Sequence, residues 1–181
     1  MEKIPKDITK KYELITTRVF DIPVEKVWQA WVEPQMIKKW WGPKNFTVPV
    51  VEIDFRVGGT SLVSMQAPEE MGGFILYNTW NYTRIIQNKQ IEFTLRFTDK
   101  DCKMLSPQDI GLPEGIPIEV PHVIILKDVE GKTEMKYSER GYTTDHAVEI
   151  SKAGLEEVLD KMDKVLRENQ NSKNSTTPNF Q

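Results

Sequence analysis

The feature that most limits what this chain can fold into is a single apolar stripe near its C-terminal end. Between Asp145 and about Arg167, Leu155, Val158, Leu159, Met162, Val165 and Leu166 recur at steps of three and four. Glu156, Glu157, Lys161 and Lys164 occupy the other side. This is the pattern of a long amphipathic helix, and one apolar side on so long a helix needs a broad surface to lie against, such as a sheet. The strands that could build one come earlier. Ile91 to Phe97 (IEFTLRF) alternates apolar and polar residues without a fault, which predicts a strand buried on one face only.

The rest of the chain reads consistently with that pair of elements. Tyr12 to Phe20 is rich in residues that suit a pleated surface, and Asp21-Ile22-Pro23 ends it. Val24 to Trp31 then predicts a short helix, and a second runs from Pro34 to the turn at Trp40-Trp41-Gly42-Pro43. Strands follow at Val48–Phe55, Thr60–Gln66, Phe74–Ile86 and Ile91–Phe97, with a hairpin from Val120–Leu126 to Thr133–Arg140. The predicted order is β-α-α-β-β-β-β-β-β-α. It describes an α+β domain in which a curved antiparallel sheet wraps a long C-terminal helix, with two short helices after the first strand. The domain is expected over residues 12–168. Residues 1–11 are expected as a flexible N-terminal tail, and residues 169–181, which offer almost nothing to bury, as a disordered C-terminal tail. Residues 99–119 form a long connection with three prolines and two glycines, a length that marks a lid candidate.

Composition narrows the function. With 181 residues, one core of ordinary size can form. A net charge of −3 and no basic block argue against nucleic acid as a partner. No apolar run approaches the ~20 residues of a membrane span, and the charged start has no apolar leader core, so a cytoplasmic protein is expected. Cys102 is the only cysteine, which rules out a disulfide within the chain. His122 and His146 are isolated and lack the spacing of metal ligands. No nucleophile elbow or phosphate-binding glycine loop occurs, so no catalytic residue, metal or cofactor is implied.

Four segments, in order, carry a resemblance. Arg18 to Trp31 (RVFDIPVEKVWQAW) is similar to the opening R-x-F-x-A-P-x-x-x-V-W-x-A-W of the family of heat-shock-protein-ninety ATPase activator-like proteins. Trp40-Trp41-Gly42-Pro43 matches its W-W-G-P, and Glu52 to Gly59 (EIDFRVGG) resembles its E-x-D-x-R-x-G-G. Gly154-Leu155 stands where the family often has Gly-Trp. The resemblance covers about residues 12–168 and implies the helix-grip fold of the START-like (SRPBCC), birch-pollen-allergen-like superfamily, whose sheet and helix enclose an apolar cavity. Two departures stand out: Trp80 replaces a residue that is usually small in the family, and the 99–119 connection is longer than usual.

Within that expected cavity, Phe74, Leu76, Asn78, Trp80 and Tyr82 share one strand face. Trp80, Tyr82, Asn78, Phe93, Leu95, Met135 and Tyr137 are the candidate ligand-binding residues, with Asn78 and Tyr82 as polar handles. Glu139 shares a face with Met135 and Tyr137, and reads either as a cavity-rim acid or as a strand-end acid in water. Three functions stay open. The first is non-catalytic binding of a small hydrophobic or amphipathic molecule. The second, which the resemblance implies, is a co-chaperone-like contact that stimulates the heat-shock-protein-ninety ATPase. The third is a cyclase- or hydrolase-like enzyme using a cavity acid such as Glu139 or the phenol of Tyr82. The oligomeric state is not encoded in any pattern here.

Overall fold

The computed structural model describes residues 11–174. Its elements are β1 (Tyr12–Phe20), α1 (Val24–Val32), α2 (Pro34–Trp40), β2 (Val51–Glu52), β3 (Thr60–Gln66), a 3-10 turn at Glu69–Met71, β4 (Ile75–Ile86), β5 (Gln90–Thr98), β6 (Glu119–Val129), β7 (Lys132–Tyr142) and α3 (Asp145–Asn174). The strands form one antiparallel sheet in the order β1-β7-β6-β5-β4-β3-β2, curved around α3. This is the helix-grip arrangement expected of the sequence. The expected N-terminal tail (except Lys11) and residues 175–181 lie outside the described residues.

The helix stripe packs as its spacing requires. Leu155, Val158, Leu159, Met162, Val165 and Leu166 are all buried, and Leu159 and Met162 are fully enclosed. α3 continues past the last apolar residue to Asn174. Ion pairs between Arg167 and Asp163 and between Lys164 and Glu168 support its polar turns, and Asn169 Nδ2 lies 2.9 Å from Met36 Sδ on α2. Beyond Leu166 the helix is polar and leaves no apolar periodicity to read. On its flank, Arg18 of β1 pairs with Glu156 and Asp160, and Thr16 donates to Glu156 at 2.7 Å. Glu156 therefore ties the helix to the sheet edge, whereas its position on the polar side suggested simple exposure.

β2 is the main difference from the expected strands. Only Val51 and Glu52 form a ladder, in place of Val48–Phe55. Pro49 has no N–H to donate. The amides of Val50 and Asp54 are taken by hydroxyls of β3, Ser64 Oγ at 2.9 Å and Ser61 Oγ at 3.1 Å. Those side-chain partners satisfy the edge backbone without a regular strand. The chain then turns at Gly58-Gly59. A Cβ on Gly59 would meet the Asp54 carbonyl oxygen at 2.3 Å, so no side chain fits there. The β6–β7 hairpin turns through Glu130 and Gly131, both at positive φ, as a two-residue connection requires.

Among the described residues, no helix is long and apolar enough to cross a membrane. Leu159 makes the sheet–helix contact at the centre of the core, and Leu159→Ala should cost ~2–5 kcal/mol in chemical denaturation. A loss below about half a kilocalorie would mean that the stripe is not what holds helix and sheet together.

Candidate functional site

The interior is divided in two by a tryptophan plug. α1 and α2 lie across the mouth of the curved sheet, and Trp31 and Trp40 meet edge to face with centroids 4.8 Å apart. Trp40 Nε1 donates to the Ala30 carbonyl at 2.9 Å, which fixes the bend between the two helices. Trp41 stands edge-on to Trp80 at 4.7 Å, and Trp80 stacks on Phe93 at 5.0 Å. On one side of this plug the core is solid. On the other lies a cleft of about 700 Å³ between β4–β7, α3, the 42–46 turn and the 112–116 segment.

α3 leaves room for the cleft because small residues stand at two of the positions that line it. Ser151 and Gly154 face the cleft where larger residues would fill it, and a Cβ at Gly154 would meet nothing within 4 Å. The long 99–119 connection supplies part of the mouth through Leu112, Pro113 and Ile116. It is moored at Gly115, whose carbonyl accepts from Thr143 N at 3.0 Å. A Cβ at Gly115 would strike Thr144 Oγ1 at 2.3 Å. The opposite wall is the Trp41–Phe46 turn, folded over the ammonium of Lys161. Lys161 Nζ lies 3.0–3.3 Å from the carbonyls of Trp41, Gly42, Pro43 and Phe46. Burial pushes its pKa down, yet four carbonyl dipoles share its three N–H donors.

The sequence-predicted residues separate on either side of the plug. Asn78, Leu95 and Tyr137 line the cleft. Trp80, Tyr82, Phe93 and Met135 are enclosed in the solid part of the core, with exposures of 0–2%. Trp80 occupies the sheet centre beneath Trp41 and Trp31, so its bulk moves the open volume toward Asn78. The Tyr82 hydroxyl is taken by Ser61 Oγ at 3.0 Å, and burial pushes its pKa to about 12.

Asn78 is the polar anomaly of the cleft floor. It is fully buried, and neither Oδ1 nor Nδ2 has a hydrogen-bond partner. Beside it in the cleft wall is a chain of four polar groups from β6 and β7. Tyr142 donates to a carboxylate oxygen of Glu139, and the Tyr137 hydroxyl acts on the same carboxylate. His122 Nδ1 is 2.7 Å from the Tyr137 hydroxyl, while His122 Nε2 has no partner. Burial raises the Glu139 pKa to about 7 against the help of both phenols, and lowers that of His122 to about 3. His122 is therefore neutral at pH 7, and its 3.7 Å approach to Glu139 is not an ion pair. Glu139 is only 7% exposed, which decides for the cavity and against the strand-end position in water.

His122 and Tyr142 were not among the sequence candidates. The signal for His122 was present in period two, because Val120, His122, Ile124 and Leu126 alternate inward along β6. Tyr142 sits beyond the recognisable alternation at the strand end. Cys102 is exposed in a turn away from the cleft, and no cluster of metal-ligating side chains occurs among the described residues.

The model of the family described as Activator of Hsp90 ATPase homolog 1-like protein matches residues 21–167. Several solved structures share the fold. A protein from Nitrosomonas europaea has 22% identity and a TM-score of 0.68 over 87% of this chain and 95% of its own. One from Arthrobacter aurescens has 21% identity and a TM-score of 0.71 over 89% and 92%. An AHSA1 protein from Silicibacter pomeroyi has 18% identity and a TM-score of 0.69 over 86% and 98%. No curated protein matches the sequence.

Two tests follow from this geometry. Lys161→Met strands the turn carbonyls and should cost about 1.5–3 kcal/mol, the range for hydrogen bonds to charged groups. An unchanged denaturation midpoint would mean the turn holds itself. For Glu139, the carboxyl titrates near 4.5 when unfolded and near 7 when folded. The folded chain holds the proton more tightly, so this site loses stability as pH rises through that window, by roughly 3 kcal/mol in all. Glu139→Gln lacks that loss. Its stability relative to the parent should therefore climb between pH 4.5 and 7, with the opposite-signed His122 contribution common to both proteins. A constant difference across that range would place the carboxylate in water.

Proposed function

The chain belongs to the Activator of Hsp90 ATPase homolog 1-like family, and on that premise we propose that it binds a small amphipathic molecule in the cleft, without catalysis. The observation that carries this reading is the orphaned Asn78 amide at the floor of a largely apolar cleft. A buried amide without partners costs about 1–3 kcal/mol, a cost that a ligand or ordered water removes. The volume of about 700 Å³ lies within the usual range for small-molecule pockets. Phe74, Leu76, Phe97, Leu112 and Ile116 offer an apolar body site, and Phe74 and Met71 remain exposed at the mouth. Among the candidate residues, Asn78, Leu95 and Tyr137 are the ones assigned to the ligand. Trp80, Tyr82, Phe93 and Met135 support the wall from behind.

Gly154 provides a test that does not damage the fold. Its replacement by Leu adds a side chain to the cleft and removes a helix glycine, which should itself gain about 1 kcal/mol. The neutral dye Nile red should bind the parent protein with a blue-shifted, enhanced emission and raise its melting temperature by mass action. Gly154→Leu should lose the dye response while melting at the same temperature or higher. A protein that worked only through contacts with other proteins would leave the cleft unused, and an unresponsive parent protein would overturn the binding reading.

A further inference from the structure

Glu139 is a buried carboxylate with no cation beside it. Among the described residues, no lysine or arginine lies within ion-pair distance of it, and the facing histidine is uncharged at neutral pH. Buried charges in folded proteins are almost always paired, because desolvation of a lone ion is costly. The groups that do touch Glu139 are phenols: Tyr142 donates to one oxygen, and Tyr137 stands between the carboxylate and His122. The Tyr137 hydroxyl shares a hydrogen bond of 2.7 Å with His122 Nδ1. The other ring nitrogen, His122 Nε2, has no partner. Asn78 adds an orphan acceptor, Oδ1, and an orphan donor, Nδ2. This end of the cleft therefore holds a buried carboxyl without a cation, beside the orphan Oδ1 and Nδ2 of Asn78 and the orphan Nε1 of Trp41, and is walled by the rings of Trp41, Tyr137 and Tyr142.

We infer that the polar head of the ligand is a protonated amine, held by the Glu139 carboxylate with Asn78 Oδ1 as a further acceptor and faced by aromatic rings, with an alkyl or aryl body in the apolar part of the cleft. The inference rests on the binding reading above and narrows it to one ligand class. An alkylammonium head brings up to three N–H donors and one positive charge to a place that offers acceptors and a carboxylate. Aromatic faces add favourable contact with a desolvated cation. A carboxylate ligand of the same length meets like charge there, and an alcohol satisfies the acceptors but not the charge.

The titrating neighbours define the pH behaviour. Around Glu139 stand Tyr137 and Tyr142 on its own strand, His122 on β6, and Ser151 on α3. Leu14 opposite on β1 is apolar, and Lys44 and Glu157 lie farther out on the cleft wall. Between pH 6 and 9, Glu139 is the group among them that gains charge, since burial keeps His122 neutral and drives both phenols upward. Affinity for an ammonium should rise with pH through about 7 and then level off, while affinity for a neutral alcohol should stay flat.

Octylammonium, octanol and octanoate share one carbon body and differ in head charge, and their displacement of Nile red measures the preference directly. At pH 8, octylammonium should bind the parent protein at least tenfold more tightly than octanol, and octanoate should bind most weakly. Glu139→Gln, checked for an intact thermal transition, should erase the tenfold preference and keep octanol binding. Tyr142→Phe removes one donor that stabilises the carboxylate, and it should move the pH midpoint for octylammonium upward without abolishing binding. Octanoate binding as tightly as octylammonium, or a preference for the ammonium that survives in Glu139→Gln, overturns the inference. If octanol and Nile red bind with no preference for charge, the amine assignment alone fails. If nothing displaces or binds, the binding reading fails with it.

Discussion

Leu159, Met162 and Leu166 have to be covered, and nearly every other feature of the molecule follows from how that is done. A helix with one apolar side needs a concave surface, and a seven-stranded antiparallel sheet supplies one by twisting and curving around it. The sheet alone leaves its open end uncovered. α1 and α2 close it with Trp31 and Trp40, and the Trp41–Phe46 turn continues the cover along the first half of α3. Arg18 and Thr16 at the β1 edge hold the flank of the helix from outside.

The cleft exists because this cover is incomplete by design of the residue sizes. The continuous apolar stripe of α3 begins at Leu155, and the turns before it place Ala147, Ser151 and Gly154 among their residues, the last two on the cleft wall. The helix therefore closes on the sheet at one end and stands off at the other. Trp80 then decides which end is empty. As a core residue packed by Trp41, Trp31 and Phe93, it fills the middle of the grip and confines the open volume to the Asn78 side. The polar groups left at that end, Asn78, His122 and Glu139, are each more costly to bury unpaired than an apolar residue of the same shape. Their placement together on the wall of a cleft is what supports the proposal of a binding site.

Lys161 illustrates a different economy of polar groups. The Trp40-Trp41-Gly42-Pro43 turn follows the end of α2, where backbone carbonyls lack helical partners. Folding that turn over one ammonium gathers four carbonyls at 3.0–3.3 Å, and Gly42 takes the positive φ that the path needs. The same contact anchors the cleft wall to α3, so the site and the helix are mechanically one piece. On the sequence, Lys161 reads as one of several lysines on a solvated side, because spacing reveals a face and not the backbone that folds across it.

Element order, the long helix and its inward face were legible in the residues because they depend on local periodicity. Period two in Ile91–Phe97 and steps of three and four after Asp145 have one folded solution each. The end of α3 was not legible, since its last turns are polar and carry no apolar stripe, and neither was the shortness of β2, where serine hydroxyls on β3 replace the ladder. The candidate site was half legible. Strand alternation placed Asn78, Leu95 and Tyr137 on the inner face, but it placed Trp80, Tyr82, Phe93 and Met135 there equally well. Period alone says that a side chain points inward. Whether it meets another ring or an open volume depends on side chains dozens of residues away, and here that was decided by Trp41 descending on Trp80 and by the missing bulk at Ser151 and Gly154. The sequence by itself determined which faces are apolar and in what order the elements run. Only the tertiary structure decided where the apolar faces fail to meet, because an empty volume is a property of the residues around it and of no single segment.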